Sequence, residues 1–86
     1  MVNISNKLKG KVVSITGASG YIGSALIQEL EKYSLKIIRI SRKEIVPKDG
    51  VEDWVLDLNK KNSWIRIVSK SDIIFHLSGN TSIYNA

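Results

Sequence analysis

The run Thr16-Gly17-Ala18-Ser19-Gly20-Tyr21-Ile22-Gly23 constrains this 86-residue chain more than any other segment. It follows the apolar run Val12-Val13-Ser14-Ile15 and precedes the helix-forming Ser24-Ala25-Leu26-Ile27-Gln28-Glu29-Leu30. Strand, glycine turn and helix in that order expose backbone N–H groups at a helix N-terminus, whose dipole favours an anion. This is the arrangement that holds the pyrophosphate of a dinucleotide. Glycine is needed because a Cβ would obstruct the turn, the approach of the phosphates, or the packing of helix on strand. The spacing is Gly-x-x-Gly-x-x-Gly rather than Gly-x-Gly-x-x-Gly. A tight turn that holds no ligand is the competing reading.

The rest of the chain alternates in the manner of an α/β protein. A first strand is expected at Lys11–Ile15 and a first helix at Tyr21–Tyr33, with Ile22, Ala25, Leu26, Leu30 and Tyr33 at helical spacing forming its sheet-facing side. A second strand is expected at Leu35–Ser41. After a polar stretch containing Pro47 and Asp49-Gly50, a third is expected at Asp53–Leu56. Asn62 or Ser63 is placed to cap a short helix through Trp64, Ile65, Ile67 and Val68, and Asp72–Leu77 reads as a fourth strand. Short, β-branched, apolar strands are those of a sheet covered on both faces. Right-handed crossovers then give β-α-β-β-α-β with strand order 3-2-1-4, the N-terminal half of a Rossmann-type parallel sheet with helices on both faces.

Composition narrows the setting. The chain has no cysteine and one histidine, which argues against disulfides and metal sites. No apolar run approaches the ~20 residues of a membrane span, and the N-terminus lacks the apolar core of a signal peptide, so a cytoplasmic protein with no membrane partner is expected. Net charge is +5, from 13 Lys plus Arg against 8 Asp plus Glu. These cations fall at the ends of elements without interleaved aromatics, so nucleic acid is not the expected partner, and most of them, Arg39 included, read as solvated surface. Residues 1–86 read as one N-terminal, truncated part of a domain with no second domain present, because a doubly wound sheet needs further strand–helix units.

The segment 16–23 resembles the cofactor loop of the extended short-chain dehydrogenase/reductase family, which includes nucleotide-sugar epimerases and dehydratases. Three further segments are similar to it: Ser41-Arg42 at the end of the second strand, Asp57-Leu58 after the third, and Asp72-Ile73-Ile74-Phe75-His76-Leu77-Ser78-Gly79 at the fourth. The resemblance runs from Lys11 to about Tyr84. It implies cofactor contacts from Gly17, Ser19, Gly20, Tyr21, Ile22 and Gly23, an Asp57 that accepts from the adenine amino group with Leu58 covering the ring, and Leu77, Ser78 and Gly79 on the rim beside the pyrophosphate and nicotinamide ribose. Asp57 as a simple turn cap is the competing reading.

The end of the second strand bears on which dinucleotide is expected. NAD proteins place a carboxylate there for the ribose hydroxyls, whereas this chain has Ser41 and Arg42. An arginine can pair with a 2′-phosphate that a carboxylate would repel, so NADP is expected in preference to NAD, unless Arg42 is only a solvated loop residue. The family's catalytic Tyr-x-x-x-Lys is absent: Ala25 and Ile37 stand four positions after Tyr21 and Tyr33. No catalytic residue is therefore assigned, and His76 reads as a strand histidine with a hydrogen-bonded ring. The resemblance implies a parent enzyme, homodimeric at full length, that transfers hydride to and from a nucleotide-activated sugar. A non-enzymatic NADP-sensing regulator of the same fold is the alternative.

Overall fold

The computed structural model describes residues 7–18 and 20–77. Its elements, in chain order, are β1 (Val12–Thr16), α1 (Tyr21–Leu30), β2 (Lys36–Ser41), β3 (Val51–Val55), α2 (Lys61–Lys70) and β4 (Ile73–His76). All strand pairs are parallel and the sheet order is β3-β2-β1-β4, as the pattern of elements requires. Among the described residues no helix is long and apolar enough to cross a membrane.

Alternation along each strand divides the core in two. Val13, Ile15 and Ile37 face α1 and pack with Ala18, Ile27 and Leu30. Ile38 and Ile40 face α2 and pack with Trp54 and Ile67. The central strands β1 and β2 are buried along almost their whole length, as expected of strands covered on both faces. Edge strand β4 is only half-buried.

Three local expectations are corrected. On α1 the expected Leu30 is buried and Leu26 packs on the core, but Ile22 and Ala25 are exposed, and Gly23 and Ile27 are buried in their place. The cause is Gly23: its missing Cβ brings that side of the helix against the Gly17–Ala18 backbone. Helix α2 starts one turn earlier than a cap at Ser63 would give. Lys60 is its N-cap, without a side-chain cap, and Ser63 lies buried inside the helix.

The third correction is Arg39, which is not solvated surface: it is buried in the middle of β2. Register places it beside Asp53 of β3. The pair is bidentate, Nε to Oδ1 at 2.6 Å and Nη2 to Oδ2 at 2.8 Å, and Nη2 also donates to the Val46 carbonyl at 2.9 Å. The β2–β3 crossover, residues 42–50, contains no helix, and Ile45 is its one half-buried apolar side chain on the core. A charge buried there must be paired, and Arg39 pairs with the neighbouring strand while holding the crossover down. Lys48 fastens the same crossover to α1 through Glu31 at 2.7 Å.

On the opposite face, the Arg66 guanidinium lies 4.1 Å from the Trp54 ring centroid. The Trp54 indole N–H, with help from Lys36, holds the Glu52 carboxyl below the usual carboxylate range. In the middle of β1, Ser14 Oγ bonds Ser71 Oγ at 2.5 Å, and Ser71 Oγ donates to the Ile67 carbonyl, tying α2 to the sheet.

Candidate dinucleotide-binding site

The site is built at the C-terminal ends of β1, β2, β3 and β4, where loops meet a helix N-terminus. Gly17 leaves β1 with φ +72°, a conformation that L side chains rarely adopt. Gly20 is the N-cap of α1 and donates its N–H to the Gly17 carbonyl at 3.1 Å. The first helical bond is Ser24 N–H to Gly20 O at 2.9 Å, so the N–H groups of Tyr21, Ile22 and Gly23 precede the helical ladder. No side chain caps α1 and no acidic residue stands in its first turn. This end of the helix therefore keeps its positive dipole and its donors for an anion. A Cβ on Gly23 would stand 2.5 Å from the Gly17 carbonyl oxygen and 2.8 Å from Ala18 Cα, both backbone atoms that cannot swing away. The loop is closed to the limit that glycine allows. Tyr21 is 90% exposed.

Around this loop the other strand ends contribute different groups. The Ser41 hydroxyl donates to the Lys43 carbonyl, and the Ser41 carbonyl accepts from Leu56 N–H at 2.9 Å, which holds the turn after β2. Arg42 and Lys43 are exposed, and neither side chain is in an ion pair among the described residues. After β3, Asp57 is exposed and its Oδ1 accepts Asn59 N–H at 3.0 Å. The turn-capping role is therefore real, and it uses one carboxylate oxygen. Leu58 is half-buried against the Trp54–Ile67 cluster, so the core supports it from below. After β4, Leu77 N–H bonds the Thr16 carbonyl at 3.1 Å and Thr16 Oγ1 at 3.0 Å. His76 is exposed at the strand end, with Nδ1 bonded to Thr16 Oγ1 at 2.7 Å. Ser19, Ser78 and Gly79 lie outside the described residues.

Sequence reasoning missed Trp64 here. Its indole N–H donates to the Leu58 carbonyl at 2.8 Å, and its ring meets His76 edge-on with centroids 5.1 Å apart. Helical spacing alone marks it only as an apolar position.

The model of the NAD dependent epimerase/dehydratase family matches residues 13–86, nearly the whole chain. The chain belongs to this family. Monoglucosyldiacylglycerol epimerase from Synechocystis sp. is 46% identical over 41 residues, which is 48% of this chain and 10% of that protein. Uronate dehydrogenase from Agrobacterium tumefaciens, in a mutant form complexed with NAD, superposes with a TM-score of 0.73 at 25% identity, over 81% of this chain and 27% of that one. MoeE5, solved in complex with UDP-glucose and NAD, superposes with a TM-score of 0.66 at 28% identity, over 86% of this chain and 24% of that one. The chain thus spans a tenth to about a quarter of the length of these relatives.

Proposed function

We propose that these 86 residues form the N-terminal, cofactor-binding portion of an enzyme that holds NADP and acts on a nucleotide-activated sugar. Family membership and the share of each relative that the chain spans support the first part. The glycine loop fits a dinucleotide, because Gly23 lets the α1 N-terminus close on the Gly17–Ala18 backbone and the helix start presents donors with no acidic neighbour. The N–H groups of Tyr21, Ile22 and Gly23 receive the pyrophosphate, Asp57 takes the adenine amino group on its second oxygen, and Leu77 with Ser78 and Gly79 borders the nicotinamide ribose. When bound, the nicotinamide supplies hydride transfer. A nucleotide-linked sugar is supported by the UDP-glucose complex of MoeE5. The glycolipid epimerase of Synechocystis supports a sugar on some carrier, and a lipid carrier is the other outcome when substrates are compared.

The observation that carries the preference for NADP is the exposed, unpaired Arg42 beside Ser41, where a carboxylate would bind NAD. Its guanidinium can form a bidentate pair with a 2′-phosphate. Titration of the full-length protein with NADPH and NADH is the test. NADPH should bind more tightly, and R42D should reverse the order. Equal affinities in the unsubstituted protein would refute the preference and leave NAD, the dinucleotide in both solved complexes, as the cofactor.

A further inference from the structure

Three strand ends of the rim are joined from beneath by one aromatic side chain. Trp64 lies in the first half of α2 and is half-buried against the core cluster of Ile38, Ile40, Trp54 and Ile67. Its Nε1–H reaches the Leu58 carbonyl at 2.8 Å, at the centre of the turn in which Asn59 N–H bonds Asp57 Oδ1 and Lys60 N–H bonds the Asp57 carbonyl. Its ring meets that of His76 at an interplanar angle of 84°. His76 stands in register with Thr16, and the two side chains bond at 2.7 Å. Thr16 is fully buried, holds Leu77 N–H and is followed directly by Gly17. The turn after β3 is tied to β2 by Leu56 N–H on the Ser41 carbonyl, and the Trp64 bond to the Leu58 carbonyl joins it to the side chain that meets His76 of β4.

We propose that Trp64 is a positioning residue for the adenosine end of the dinucleotide: it fixes the Asp57–Leu58 turn relative to the ends of β1 and β4. This rests on the reading of the rim as a dinucleotide site. Trp64 touches no ligand and acts through the Leu58 carbonyl. An indole suits the task because it offers a long apolar body to the core, an edge to an imidazole and a donor at the far end. Phenylalanine keeps the first two and lacks the third.

The test compares the full-length protein with its W64F variant. Amide hydrogen exchange without ligand reads the turn itself: exchange at Asn59 and Lys60 should quicken in W64F, while that of Ile15 in β1 stays as it was. Binding of the two halves of the cofactor reads the function. Affinity for ADP should fall about three- to tenfold, the effect of one lost hydrogen bond, and affinity for nicotinamide mononucleotide should hold. Unchanged exchange and unchanged ADP affinity would overturn the role of Trp64 while leaving the dinucleotide reading intact. Equal loss for both halves would also overturn it, showing a general structural residue. If the unsubstituted protein bound neither half, the dinucleotide reading would fall, and with it the adenosine role, whereas the exchange arm would still decide whether Trp64 holds the turn.

Discussion

At the scale of single residues, the glycines of the loop are not equivalent. Gly17 is required by its positive φ, Gly23 by space, and Gly20 by neither. A Cβ on Gly20 comes no closer than 3.4 Å to the Gly17 oxygen, and φ there is −80°, which any residue adopts. G23A must instead push α1 off the loop, because every contacted atom is backbone. We expect G23A to destabilise the protein by about 1–3 kcal/mol, the usual cost of an overpacked site, and G20A to cost much less. Urea midpoints of the two variants check this. Similar midpoints would mean that α1 can shift freely, and the loop would not be held as described.

At the scale of elements, α2 breaks a local rule. It opens with Lys60 and Lys61 at the positive end of its dipole, has no side-chain cap, and has no acidic residue in its first turn. Its stability comes from burying Ser63 and Ile67 and from the Ser71–Ser14 contact. K60D places a capping carboxylate at a residue already in the extended conformation that an N-cap needs. We expect a gain of about 1 kcal/mol, seen as a higher thermal midpoint. An unchanged midpoint would show that the lysine is not the weak point of the helix. The helix was legible in the sequence from Trp64, Ile65, Ile67 and Val68, but its start was not. Ser63 carries the chemistry of a cap, yet packing draws it inside.

At the scale of the whole molecule, the crossover without a helix shapes the β2–β3 half of the sheet. Beside the apolar contacts of Ile37, an ion pair and the segment 42–50 cover the middle of β2 and β3 on the α1 face, where β1 has apolar contacts alone. The Arg39 side chain is 10% exposed and that of Asp53 is 23% exposed, so D53A leaves a nearly buried guanidinium with only the Val46 carbonyl. We expect a loss of about 3 kcal/mol. The double variant R39M/D53L, which replaces the pair by apolar groups, should regain most of it. Denaturant unfolding of both variants measures this. A double variant as weak as D53A would show that the pair supplies more than charge compensation.

The sequence by itself determined the parallel 3-2-1-4 sheet and the strand–glycine–helix turn. Periodicity and glycine placement are local properties that each segment carries in its own residues. It also showed which groups stand at the strand ends, Ser41 and Arg42, Asp57 and Leu58, and Leu77. The tertiary structure alone decided what depends on a partner distant in the chain. The isolated arginine of the run Ile37-Ile38-Arg39-Ile40 was a visible signal, but only register gives it Asp53. The burial of Gly23 where Ile22 was expected follows from its approach to Gly17 and Ala18, which no helical periodicity encodes. Trp64 acquires its place between Leu58 and His76 only when α2 crosses beneath the ends of β3, β1 and β4. Hydrophobic pattern records that a side chain is to be buried, while its partner and orientation are fixed by packing of segments that meet only in the folded chain.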